Sequence, residues 1–389
     1  MLFQEVLRNH CPDIPALRRA VSRVRIWALD RRMMDDRERN SGESSFEEKE
    51  RLVEAWRKSD PGYYKKICGK ASALFDSVWK DNDHKKALMT DVLFCRYAYG
   101  FLPEEYLCFG LEEKGMMERL SFVSDLQRIR YDCQMSDMAD SRIFKDKSKT
   151  YEKYKDYYSR ELAVIERKKD KDIFLSFISK HPRFLKKEVF ESIGRGIELI
   201  DYESCGMDAD SLFEYCLRHG KVVLEEIVKQ SEIMAGFNAS SVNTVRCITL
   251  NTKKGIKILC TVLRVGRTGR FVDNAGFGGL FAAINKETGL VETDGCSKLN
   301  ERYQKHPDSG KPFKGFQVPD WENLLDLCRE MAEMVPTVRY IGWDMAYTEK
   351  GWVLIEGNNC PQIGMIQIST QNGIKKELEK YMSIMELMA

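Results

Sequence analysis

The sequence predicts an α+β protein, and three observations carry that prediction. Residues 1–140 show apolar residues at helical spacing. Beyond Ser240 the apolar residues fall into short strands joined by tight turns. Helices and strands intermingle with many hairpins, which argues against a doubly wound parallel sheet.

In the first region, Leu17, Ala20, Val21, Val24, Trp27 and Ala28 mark one helical face. A polar break from Asp36 to Ser45 follows. Ser45 and Glu48 then have the spacing of a capping box. Further helices are expected over 64–80, 84–100 and 112–130.

From about residue 140 the texture changes. Phe144-Lys-Asp-Lys-Ser-Lys149 opens a Tyr-rich, charged helix over 151–168, and a second helix over 172–180 ends at His181-Pro182. Strands over 184–190 and 221–228 flank a helix over 211–218. Segments 245–250 and 256–264 form a hairpin, and 280–285 pairs with 290–294 across Lys286-Glu-Thr-Gly289. An amphipathic helix over 321–335, a hairpin over 340–359 and a helix over 375–388 complete the chain. This organisation divides it at 1–140, 141–228 and 229–389.

The 389 residues include 62 basic and 60 acidic side chains, a net charge of +2. That balance gives no electrostatic case for nucleic acid or an anionic membrane as partner. Twelve cysteines are scattered without zinc-like or CxxC spacing, which suits reduced thiols. Cys360 is expected to be a small packing residue. Met1 to Cys11 lacks an apolar signal core, and no apolar run reaches the ~18 residues of a membrane span. A cytoplasmic location without membrane insertion is the expectation.

The hairpin at 340–359 is the most informative segment. With its turn at Glu349-Lys350-Gly351, Asp344 faces Glu356. Side chains alternate, so Glu356 shares its face with Asn358, and Asp344 shares its face with Gly342 and Ala346. Trp343, Met345, Tyr347, Val353 and Ile355 are expected on the other, apolar face. Two facing carboxylates repel unless a cation joins them. Magnesium takes hard oxygen ligands, and an Asp, a Glu and an Asn carbonyl suit it. A solvated polar face is the alternative.

Other candidates are weaker alone. Gly194-Arg-Gly196 lies in a turn after a strand, where glycines let backbone N–H groups approach an anion. Gly69-Lys70 lacks a strand–loop–helix frame, and Gly276-Phe-Gly-Gly279 reads as another close-approach loop or as a flexible turn. Lys187 lies on a strand from which it could reach a phosphate, or be solvated. Arg246 and Arg264 interrupt apolar strands, as edge charges or as forks for an anion.

Taken together, these residues resemble a known family. Ser241-Val-Asn-Thr-Val-Arg-Cys-Ile-Thr249, Arg264-Val-Gly266, Asp273-Asn274, Gly278-Gly279 and the Asp344…Glu356-Gly-Asn358 hairpin resemble the ATP-grasp superfamily. The resemblance is nearest to its sugar-transfer-associated branch and runs from about Phe144 to Gln367. It implies two α+β lobes holding ATP between them, preceded here by the helical region. It also implies Asp344, Glu356 and Asn358 as magnesium ligands, and Lys147 and Lys187 as nucleotide lysines. Glu225-Glu226-Ile227-Val228 is similar to the interlobe hinge, with the Ile227 and Val228 backbone on adenine and a glutamate near its amino group. Gly194 and Gly196 would lie at the phosphates, Arg246 on a phosphate or activated carboxylate, and Arg264 and Asn274 on the substrate side. Lys186-Lys187-Glu188 departs from the Val-Lys-Pro run of relatives, which leaves Lys186 as the rival of Lys187.

The activity so implied is an ATP- and Mg2+-dependent carboxylate–amine ligase working through an acyl phosphate. Its substrates would be a small-molecule carboxylate and an amine, sugar-linked or peptide, as in polysaccharide or cell-surface sugar modification. A phosphotransferase on a sugar hydroxyl and an inactive nucleotide-binding scaffold are the alternatives.

Overall fold

The computed structural model describes residues 23–24, 26–27, 44–76, 81–189, 196–269 and 278–385. Two antiparallel sheets organise them. The smaller is built from β1 (Leu162–Ile165), β2 (Arg183–Glu188), β3 (Ile197–Asp201) and β4 (Val222–Glu226), in the order β1-β4-β2-β3. The larger comprises β5 (Thr244–Thr252), β6 (Gly255–Val265), β7 (Leu280–Ile284), β8 (Gly295–Cys296), β9 (Arg302–Tyr303), β10 (Tyr340–Thr348) and β11 (Gly351–Asn359). Its order is β11-β10-β5-β6-β7-β8-β9.

One face of the small sheet is apolar. Ala163, Ile165, Phe184, Val222 and Leu224 bury against Phe174 and Phe177 of the helix Lys171–Lys180 and against Leu212 and Phe213 of the helix Ala209–Leu217. Alternation sends Leu162, Leu185, Lys187, Val223 and Glu225 to the opposite face.

Both faces of the large sheet are covered. On one, Val245, Cys247, Leu263, Trp343 and Met345 pack under the amphipathic helix Trp321–Glu333. On the other, Ile248, Leu250, Cys260, Val262 and Phe281 share a core with the N-terminal helices Phe46–Ser59, Pro61–Phe75 and Asn82–Tyr99. The helical region is therefore packed directly on the sheet. Asp344, Arg246 and Arg264 lie on this second face, at the end where its apolar residues stop.

Several sequence expectations are corrected. The helix expected over 112–130 is two helices, Met116–Ser121 and Asp125–Met135, because the Ser124 side chain caps the second. The helix expected over 151–168 is Lys147–Tyr158, ended by Ser159 at φ 48°, and Leu162–Ile165 is a strand. A short apolar run has no period that separates strand from helix, and its pairing with β4 decides. Strand β3 and the helix Gly364–Thr370 were not expected. Segment 290–294 does pair with β7, at the Ile284–Val291 bridge, with Asn285 donating to the Leu290 carbonyl at 2.8 Å and Glu292 to the Ala283 carbonyl at 2.9 Å, but it forms no full strand. The last helix stops at Met382, and residues 386–389 lie outside the described ones.

Of the early helical face, Leu17, Ala20, Val21 and Ala28 lie outside the described residues, while Val24 and Trp27 are exposed. Ser45 does cap its helix, accepting from the Glu48 N–H at 3.3 Å. Among the described residues, no helix is long and apolar enough to cross a membrane.

Candidate functional site

The hairpin places Asp344 opposite Glu356, but by a different route from a symmetric turn. Thr348 pairs with Gly351 around a two-residue turn, so facing numbers first sum to one less than the symmetric turn requires. Ile355 is then bulged out between the Met345–Leu354 and Asp344–Glu356 pairs, which restores the register at the site. The bulge also corrects the apolar face. Trp352 and Leu354, opposite Tyr347 and Met345, complete it, whereas Val353 pairs with Ala346 on the other face.

Asp344 is 4% exposed and is held by two arginines. Arg246, its register partner on β5, donates from Nε to Oδ1 at 2.7 Å and from Nη2 to Oδ2 at 2.6 Å. Arg264 Nη1 donates to Oδ2 at 2.7 Å. Burial alone would raise the carboxyl, but Arg246 and Arg264 hold its pKa down at about 2. Asn358 Nδ2 approaches the same oxygen at 3.3 Å, which turns its amide oxygen away from Asp344.

Glu356 is treated differently. Among the described residues it has no ion-pair partner within 4.0 Å. Burial, then the Asp344 charge, push its pKa up, while Lys147, Lys187 and Arg246 pull it down. Three cations thus surround a carboxylate that none of them neutralises by contact.

Lys147 starts the helix Lys147–Tyr158 behind its Asp146 cap, and its Nζ donates to the Glu188 carbonyl at 3.0 Å. Lys187 is 9% exposed and pairs with Glu225 at 2.6 Å. Lys186 points the other way, to Glu198 at 3.2 Å and over the Tyr215 ring at 4.6 Å. Alternation along β2 therefore puts Lys187, not Lys186, on the face shared with Glu225.

At the end of β4, Glu225 is committed to cations. Its Oε1 accepts from Arg160 Nε at 2.9 Å and Nη2 at 2.7 Å, and its Oε2 faces Lys187. Burial opposes ionisation, yet Arg160 and Lys187 hold the Glu225 pKa low. Glu226 Oε2 accepts from the Glu161 N–H at 2.9 Å. Ile227 and Val228 follow outside any strand, and among the described residues neither makes a backbone hydrogen bond. Gly196 has φ 66° and lies against Glu188, while Gly194 and Asn274 are outside the described residues.

Two residues escaped the sequence reading. Arg160 joins the sheets: besides Glu225 it donates from Nη1 to the Leu354 carbonyl on β11 at 2.6 Å. The missed strand β1 hid it, since a helix through 168 would have pointed Arg160 elsewhere. Arg128 reaches the carbonyl and Sγ of Cys360 just past the hairpin. Cys360 is thus not a plain packing residue; it takes φ 52° and is partly exposed. No sequence signal marks a contact spanning that much chain.

The donor set bears on a metal. Among the described residues no group of three or more His, Cys, Asp and Glu side chains could hold one. The hard oxygen donors this face offers are the Glu356 carboxylate, which has no ion-pair partner among the described residues, the Asp344 carboxylate held by Arg246 and Arg264, and the Asn358 amide, turned nitrogen-first toward Asp344.

The family described as sugar-transfer associated ATP-grasp matches residues 126–382. The chain belongs to this family. Solved ATP-grasp structures are similar to it at low identity. One is the ATP-grasp ligase PsnB complexed with minimal precursor, 11% identical with a TM-score of 0.41, covering 67% of this chain and 68% of that one. Another is D-alanine–D-alanine ligase from Bacillus anthracis complexed with ATP, 14% identical with a TM-score of 0.40, covering 64% and 69%. A search of curated proteins returns no match. The match spans both sheets and leaves the helices before residue 126 outside it.

Proposed function

We propose that this ATP-grasp protein is an ATP- and magnesium-dependent ligase that joins a carboxylate to an amine. A substrate carboxylate attacks the γ-phosphate of ATP, giving an acyl phosphate and ADP. The amine then displaces phosphate and leaves an amide. The family's association with sugar transfer supports a sugar-linked substrate, and a peptide acceptor fits the same chemistry.

The observation that carries this reading is the meeting of Lys147, Lys187, Arg246 and Arg264 with Glu356, Asp344 and Asn358 where the two sheets join. Phosphoryl transfer asks a protein mainly for positioning and charge neutralisation. Lys147 and Lys187 would orient phosphates, with Gly194 and Gly196 as the backbone approach. The Ile227 and Val228 backbone groups would read the adenine edge, and Glu226 lies next to them. Glu225 serves this site by holding Lys187 and Arg160 in place rather than by meeting adenine. Arg246 and Arg264 would face the activated carboxylate, with Asn274 on the substrate side. Glu356, Asp344 and Asn358 would hold magnesium, which when bound neutralises phosphate charge.

The test is an ADP-release screen over amino acids, sugar acids and amines, with products identified by mass spectrometry. Turnover that needs both an acid and an amine and yields an amide supports the ligase. A phosphate ester would replace it with a phosphotransferase. ATP binding without turnover on any pair would leave a nucleotide-binding scaffold.

A further inference from the structure

We infer that Arg128, supplied by the helical region, is a positioning residue for the metal-ligand end of the β10–β11 hairpin and acts through Cys360. This rests on the proposed metal role of Glu356 and Asn358. Arg128 lies in the first turn of the helix Asp125–Met135 and is 6% exposed. It divides its guanidinium: Nε and Nη2 donate to Asp125 Oδ1 at 3.0 and 2.7 Å, and Nη1 donates to the Cys360 carbonyl and meets its Sγ. Cys360 is two residues beyond Asn358.

The corner it grips is shaped by one unusual backbone angle and two contacts of Pro361. Cys360 takes the left-handed φ of 52°, which a cysteine rarely adopts unless the surroundings impose it. The next residue, Pro361, accepts a hydrogen bond at its carbonyl from Tyr340 Oη at 2.7 Å. Its ring rests on Gly342, where an added Cβ would lie 2.6 Å from the Pro361 Cβ. Gly342 is the register partner of Asn358, so the corner folds back over the ligand pair itself.

The other end of the lever is equally anchored. The Gln367 side-chain amide pairs with both backbone groups of Val123, at 2.8 and 3.0 Å, and Ser124 Oγ donates to the Tyr99 carbonyl at 3.1 Å. Gln362 Nε2 donates to Asp125 Oδ1 at 3.0 Å. Ser124 thus fixes the helix start to the helical layer, Gln362 and Gln367 tie it to the segment that follows the hairpin, and Arg128 adds the bond to Cys360 at the end of the strand carrying Glu356 and Asn358. Groups that orient metal ligands from behind typically set metal affinity by 10- to 100-fold.

The experiment titrates Mn2+ into the full-length protein with a non-hydrolysable ATP analogue present, reading free Mn2+ by electron paramagnetic resonance. Arg128→Met should weaken Mn2+ binding about tenfold, and Arg128→Lys by less, because lysine keeps the charge but cannot hold Asp125 and Cys360 together. Nucleotide affinity without metal should stay at the wild-type value in both. Glu356→Gln is the control for the metal reading and should abolish the site. If it does, and both Arg128 variants bind Mn2+ like wild type, the inference is overturned while the metal reading stands. If Glu356→Gln binds like wild type, the metal reading falls and this inference with it. Should Arg128→Met fail to fold, Arg128→Lys decides alone: a folded variant with wild-type Mn2+ affinity overturns the inference.

Discussion

Asp344 and Arg246 face one another on adjacent strands and are joined by two parallel hydrogen bonds, Nε to Oδ1 at 2.7 Å and Nη2 to Oδ2 at 2.6 Å. The acid at the centre of the site is thus neutralised by the chain itself, with Arg264 adding a third bond. The Arg246 guanidinium, costly in an apolar strand, has its anion there. Truncating Arg246 to alanine leaves a buried carboxylate with one cation fewer and should cost about 3 kcal/mol. Asp344→Ala added to it should cost less than the sum of the singles in urea unfolding. Strict additivity would show that the pair carries no coupling. Arg246→Lys should also lower the maximal rate with little change in apparent ATP affinity. Wild-type rates in that variant would restrict Arg246 to a structural role.

Glu356→Gln should abolish ATP turnover and leave the fold intact. Its carboxylate is raised by burial and by Asp344 and has no contacting cation among the described residues. Removing that charge relieves repulsion, so the metal-free melting temperature should hold or rise. Magnesium-dependent turnover retained in the mutant would sink the metal assignment.

ATP with magnesium should raise the melting temperature by mass action. Lys187→Ala should reduce that shift more than Lys186→Ala, because Lys187 faces Glu225 and Lys186 faces Glu198 on the other side of β2. An equal or larger loss at Lys186 would place the nucleotide against the wrong face of the small sheet.

Asp91 ties the helical layer together. It accepts from Lys49 at 2.6 Å, Tyr106 at 2.7 Å and Arg119 at 2.9 Å, side chains from three other helices. Burial would raise its pKa, but Arg119, Lys49 and Tyr106 outweigh burial and hold it below the ordinary 3.8. A depressed acid contributes stability above its unfolded pKa and loses it as pH falls through the lower folded value. Asp91→Asn should therefore cost about 3 kcal/mol at pH 7. The gap from wild type should narrow as pH drops below about 4. Thermal melts across that range check it, and a gap independent of pH would mean that the ion pairs do not carry the effect.

Much of the site was legible because it depends on local rules. Strand alternation puts Lys187 and Lys186 on opposite faces, though not which of them meets the site, and gathers Arg246 with Ile248 and Leu250 on one face. The twelve-residue interval from Asp344 to Glu356 fits a tight hairpin, and the two acids do face each other. The tertiary structure alone decided what those side chains meet. The Ile355 bulge, which no local signal announced, makes that register possible. Arg246 and Arg264 find Asp344 across 98 and 80 residues of chain, Arg160 finds Glu225 across 65, and Arg128 finds Cys360 across 232. Charge pairing at such separations leaves no period or spacing in the sequence. It arises only when the helical layer and the two sheets pack, and burial then forces each charge to find its nearest partner.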